Sequence, residues 1–246
     1  MAKPKMAVQL IIWGDRTRVD LDGVLREVAD GGFDGIEMDQ RLLAGMSDPN
    51  GYLAEHGLEL AGFHLGGGDM SPVEEAMRLL QQCDAHYVLF SGVGDRSGDE
   101  SAAYKRGAAF MNEVGKLCKG TGITPCYHNH NWEFKNDSLG MNILLAEIDP
   151  ELAGFAFDVY WLSAGGEDPA AWIERYADRT AYVHFKDMAE GTFAPVGDGE
   201  LDWPGIWRAV EPLGLPWVCA EQDRTDGDPG EASARSRAYL KKTLGI

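Results

Sequence analysis

Residues 123–130 read ITPCYHNH: a β-branched and aromatic apolar run that ends in two histidines. The run is too short for a helix, and it is apolar on both alternating faces. That is the pattern of a strand covered on both sides, as in a parallel sheet. Seven more segments of this kind recur: 7–13, 32–39, 58–66, 86–92, 154–161, 180–187 and 216–223. Between them lie helix-like stretches with start and stop signals. Asp168-Pro169 and Asp202-Trp203-Pro204 mark helix starts, and Ser71-Pro72-Val73-Glu74 reads as a capping box. Leu21, Val24, Leu25 and Val28 form one helical face, as do Trp203, Ile206, Trp207 and Val210, with Gly31 and Gly214 as stops. The segment EASARSRAYLKKTL (231–244) reads as a closing helix. Eight strand–helix units in 246 residues predict an α/β fold, a single (β/α)8 barrel spanning residues 1–246. No G-x-G-x-x-G follows the first strand, as an open dinucleotide-binding sheet would require. HLGGGD (64–69) reads as a tight turn, and VGDGELDW (196–203) as a turn that caps the next helix.

The composition is that of an ordinary globular protein, 44% hydrophobic and 25% charged. No apolar run approaches the roughly 20 residues of a membrane span, and the first residues lack the apolar core of a signal peptide. A soluble cytoplasmic protein is expected. The net charge of −18 repels phosphate backbones and argues against nucleic-acid binding. It leaves room for a neutral sugar or a divalent cation. Cys83, Cys118, Cys126 and Cys219 are widely spaced, which suits reduced, buried thiols.

In such a barrel, chemistry collects at the C-terminal ends of the strands. Strands five to eight offer His128, Asp158, His184 and Glu221 there. The intervals are 158 − 128 = 30, 184 − 158 = 26 and 221 − 184 = 37 residues, one strand–helix unit each. Side chains alternate along a strand, so each segment can aim one ligand into the mouth at similar height. Mixed imidazole and carboxylate ligands predict one divalent ion: manganese, zinc, cobalt or iron.

The chain resembles the xylose-isomerase-like TIM-barrel superfamily, in its sugar phosphate isomerase/epimerase branch, which is related to inosose dehydratases and hydroxypyruvate isomerases. The matching pieces are GFDGIEM (32–38), YHNHNWEF (127–134), FDVYW (157–161), VHFKDM (183–188), VGDGELDW (196–203) and AEQD (220–223). The resemblance covers essentially the whole chain. It implies a metal held by Glu, Asp, His and Glu from strands five to eight. Asp158, His184 and Glu221 match the last three, and His128 stands where glutamate is usual.

The expected chemistry is metal-dependent isomerisation or epimerisation of a keto-sugar or polyol through an enediolate. The alternatives are a lyase that dehydrates a keto-inositol or keto-glycoside, and an inactive sugar-binding barrel. An apurinic-site nuclease is disfavoured by the charge and by the single metal set. Glu133, Glu37, His130 and Lys186 are the catalytic candidates. Trp132 and Phe134 flank Glu133, which would shield it and raise its pKa. His64, Trp13 and Tyr160 are the substrate-binding candidates. Only Lys186 and Arg224 supply positive charge near strands seven and eight, which favours a non-phosphorylated substrate. Barrels of this type often associate, so a homo-oligomer is compatible with the sequence.

Overall fold

The computed structural model describes residues 3–94 and 98–246. Eight parallel strands close into a barrel: Lys5–Gln9, Gly35–Met38, Glu59–Gly66, Tyr87–Ser91, Thr124–His128, Gly154–Asp158, Thr180–Phe185 and Trp217–Ala220. The eighth strand pairs with the first, which pairs with the second, so the sheet has no free edge. All eight segments expected from the sequence form strands, but seven end before the expected residue, and two of those pass directly into helical turns. Residues Leu10–Trp13 make a single 3-10 turn, with Gln9 Oε1 accepting from the Ile11 N–H and Gly14 ending the turn at φ 54°. Asp158 Oδ1 likewise accepts from Trp161 N–H at 3.0 Å and starts the helix Val159–Ala164. Trp13 and Tyr160 are therefore not strand residues. An apolar run cannot by itself separate the end of a buried strand from a buried turn.

Most helix signals hold. Asp168 and Asp202 cap the helices Pro169–Arg175 and Trp203–Val210 through the N–H groups of Ala171 and Gly205. Val24, Leu25 and Val28 are buried, as are Trp203, Ile206, Trp207 and Val210. The closing helix runs Pro229–Tyr239, and a π-turn continues it over Leu240–Leu244. The capping box at Ser71 does not form. Asp69 accepts from both the N–H and the hydroxyl of Ser71, so that hydroxyl donates to Asp69, and Val73–Gln82 begins without a side-chain cap. The glycines of 66–68 serve a close approach of two turns: a Cβ on Gly67 would lie 2.0 Å from the carbonyl oxygen of Gly92. Among the described residues, no helix is long and apolar enough to cross a membrane.

Inside the barrel, Ala7, Tyr87, Cys126, Ala156, Tyr182 and Trp217 fill a separate apolar layer. Large rings meet small side chains across it, and Gly35 makes room for the Trp217 indole. A Cβ at Gly35 would stand 2.4 Å from the Glu59 carbonyl oxygen and 2.8 Å from that ring. Neither neighbour can move without disturbing the closure. Gly35→Ala is expected to destabilise the protein by roughly 2–3 kcal/mol, the range of overpacked cores. Urea denaturation with an unchanged m-value would show it, whereas an unaltered midpoint would mean the barrel gives more than its packing implies.

Candidate metal centre and cavity

One alternation step above the apolar layer, the strands turn polar. Gln9, Glu37, His64, Ser91, His128, Asp158, His184 and Glu221 stand at, or within a residue or two of, the strand ends. Strand register sets them side by side: Gln9 opposite Glu37, Ser91 opposite His128, and Asp158 opposite His184.

His128, Asp158, His184 and Glu221 converge as the sequence spacing implied. All four are buried, and one donor atom from each lies within 4.8 Å of the others. His128 Nε2 is 3.5 Å from Asp158 Oδ2 and 3.6 Å from Glu221 Oε2. His184 Nδ1 comes within 2.5 Å of Glu221 Oε2, yet the two are not aligned as a hydrogen bond. These four atoms all lack a hydrogen-bond partner. Four buried, unsatisfied donors facing one point are rare in a folded chain. A divalent cation satisfies all of them, and two imidazoles with two carboxylates suit a borderline transition metal. Asp158 is oriented from behind: its Oδ1 caps the following helix, and its N–H donates to Asn129 Oδ1 at 2.9 Å.

Glu37 lies fully buried beneath this cluster and does not line the cavity. Its Oε2 is 2.8 Å from His184 Nε2 and its Oε1 is 2.9 Å from His64 Nδ1. Burial would raise this carboxyl, but the charge of His184 and the hydrogen bonds of both imidazoles outweigh it and hold it at about 2. Glu37, His64 and His184 could form a second donor group, but these three already satisfy one another.

Lys186 follows the seventh strand and is 1% exposed. Its ammonium pairs with Asp223 and lies 3.6 Å from Asp158 Oδ2 and 3.8 Å from Glu221 Oε1. The Trp161 and Phe193 rings stand 4.8 and 4.9 Å away. Burial works against its charge, but Glu221, Asp158 and Asp223 outweigh burial and raise its pKa. In the metal-free protein Lys186 is thus held as a cation.

A cavity of about 1100 Å³ opens over the centre. His64, His130, Lys186 and Asp223 line its polar end, while Leu10, Ile11, Leu42 and Met46 line the side above strands one and two. His130 stacks on Trp132 with centroids 3.9 Å apart. Burial and the nearby charges of His128 and Lys186 lower its pKa, so it carries a neutral imidazole.

Three further candidates, besides Glu37, sit away from the cavity. Glu133 is fully buried, as its aromatic flanks suggested, but it accepts from the Tyr127 hydroxyl and the His130 N–H, both at 2.7 Å. It therefore caps the turn that presents His130. Trp13 is buried in the apolar core and donates from its indole N–H to Glu27 at 2.8 Å. Tyr160 packs against Trp161 and Phe193, with its ring 5.7 Å from the Lys186 ammonium. Sequence reasoning passed over Ser91, Asn129, Asp187 and Asp223. Ser91 carried a signal, since strand alternation places it on the same face as Leu89 at the end of strand four.

A model of the xylose isomerase-like TIM barrel family matches residues 25–243, and the chain belongs to that family. An inosose dehydratase from Lacticaseibacillus casei is 28% identical over 165 residues, covering 58% of this chain and 55% of that protein. One from Serratia proteamaculans (strain 568) is 29% identical over 175 residues, covering 58% and 56%. The chain thus spans about half the length of the curated relatives it matches. A sugar phosphate isomerase/epimerase from Parabacteroides distasonis ATCC 8503 superposes with a TM-score of 0.81 at 22% identity, over 99% of this chain and 95% of that one. The IolI protein with a bound zinc atom superposes at 0.76 with 14% identity, over 98% of each chain. At these identities the structural likeness speaks for the fold alone.

Proposed function

We propose that this chain is a divalent-metal-dependent enzyme that removes a proton from the carbon beside a carbonyl in a keto-sugar or keto-polyol. The observation that carries the reading is the set of four buried, unpartnered donor atoms of His128, Asp158, His184 and Glu221. A metal held there would supply a Lewis acid for the substrate's carbonyl oxygen. Its identity among manganese, zinc, cobalt and iron is left open by this donor set.

The remaining work falls to side chains at the polar end of the cavity. His130 offers a neutral imidazole, the form that can accept a proton, and Glu133 holds its backbone in place. Lys186, whose ammonium pairs with Asp223, places a cation where negative charge develops on oxygen. His64 lines the cavity with a ring whose two nitrogens are held by Glu37 and Ser91, so it shapes the substrate's wall. When the C–H bond breaks, its electron pair passes to the carbonyl oxygen. Return of a proton to the neighbouring carbon isomerises, and return to the other face epimerises. Departure of a β-hydroxyl as water dehydrates. Isomerisation or epimerisation is the first reading. Dehydration is the second, favoured by the sequence likeness to inosose dehydratases.

The test pairs metal analysis with exchange. Plasma mass spectrometry is expected to find about one equivalent of a divalent transition metal, largely lost in His128→Ala. In D2O the metal-loaded protein is expected to place deuterium beside the carbonyl of a keto-sugar or keto-inositol, and NMR separates the three products. No metal after reconstitution, together with no exchange, would leave only a binding barrel.

A further inference from the structure

Resting on the metal reading above, we propose that Glu37 and Ser91 set the proton positions on the imidazoles of the polar layer, so that His128 and His184 both turn a lone pair toward the centre. An ionised carboxylate can only accept hydrogen bonds. His184 Nε2 and His64 Nδ1, at 2.8 and 2.9 Å from Glu37, must both carry hydrogen. Glu37 shares its charge between two imidazoles, and the far side of His64 meets a hydroxyl and no second carboxylate, so the ring is neutral and its Nε2 is an acceptor. His64 Nε2 is 2.5 Å from Ser91 Oγ, so the serine hydroxyl donates to it. Ser91 has one proton, and it is now committed. Its contact with His128 Nδ1 at 3.3 Å must then run the other way, with His128 donating. In the neutral form that a metal ligand must take, His128 Nε2 and His184 Nδ1 are then the nitrogens without hydrogen, and both are among the unpartnered atoms of the cluster. Glu37 acts directly on His184 and, across strands three and four, on His128. It is a positioning residue, not a base.

The arrangement also fits the residue at position 128. A carboxylate ligand has no tautomer to choose, but a histidine does. Ser91 supplies that choice.

The experiment is titration of the metal-free protein with cobalt(II) alone, followed by its visible absorption, in two backgrounds. Ser91→Ala is expected to weaken cobalt binding about 10-fold when residue 128 is histidine, the usual scale for losing a ligand's supporting hydrogen bond. In His128→Glu it is expected to change nothing, and Ser91→Thr is expected to restore affinity. Glu37→Gln is expected to weaken binding more than Ser91→Ala, and adding Ser91→Ala to it to cost less than it does alone. Equal loss from Ser91→Ala in both backgrounds, or none in either, overturns the proposal while leaving the metal centre standing. Failure of the unaltered protein to take up cobalt overturns both.

Discussion

Lys186→Met is expected to lower the unfolding free energy of the metal-free protein by roughly 3–5 kcal/mol at pH 8, the scale for removing one partner of a buried ion pair. The ammonium stands among Asp158, Glu221 and Asp223, and methionine would leave those carboxylates facing one another. The sign of the pH dependence follows. Lys186 has a raised pKa in the folded protein, so its contribution is complete below the ordinary value of 10.5 and is lost only as pH rises through the folded value. It is present in the unaltered protein at pH 8 and at pH 5 alike. In the variant, the carboxylates lose their cation and protonate more readily. The deficit should therefore shrink at pH 5. Urea denaturation at the two pH values measures it, and a deficit that does not change with pH would contradict the electrostatic account. Turnover should fall at least about 100-fold if Lys186 also faces developing oxyanion charge, the scale of one removed donor.

The second large effect is at Asp187, which is fully buried at the start of a short antiparallel ribbon, Asp187–Ala189 with Thr192–Ala194. Its Oδ1 accepts from the N–H groups of Met188 at 2.8 Å and Leu201 at 3.3 Å. Its Oδ2 accepts from Gly197 at 2.8 Å, Gly199 at 3.2 Å and Trp203 Nε1 at 2.7 Å. One carboxylate thus gathers the whole loop that leads into the helix Trp203–Val210. Asp187→Ala would leave several donors buried without a partner, at roughly 1–3 kcal/mol for each that water cannot reach. A loss near 4 kcal/mol is expected, with hydrogen exchange accelerated over 196–201 before the barrel strands. Wild-type protection in that loop would mean the ribbon holds it without the carboxylate. The ribbon that Asp187 opens carries Phe193 against Lys186 and Tyr160, so its loosening reaches the cavity wall.

Much of this was legible in the chain. Eight buried runs at regular intervals give a parallel barrel almost by counting, and alternation within each run places His128, Asp158, His184 and Glu221 on one level. The failures share a cause. Trp13 and Tyr160 were expected at strand ends, but the strands are stopped by hydrogen bonds of Gln9 and Asp158 to the backbone ahead of them. Apolar character does not encode such local bonds. Glu133 is shielded, as its aromatic flanks imply, while its partners, the Tyr127 hydroxyl and the His130 N–H, exist only once the turn has formed. Ser91 and Asp187 were passed over because serine and aspartate at a strand end look the same whether they face solvent or anchor a network.

The rings beneath the polar layer have a kinetic consequence. Tyr87, Tyr182 and Trp217 are buried and seal the barrel from below. The chamber above them is a cul-de-sac, so in the proposed reaction substrate and product would share one doorway. For the proposed activity, competitive inhibition by the product is the expected steady-state pattern.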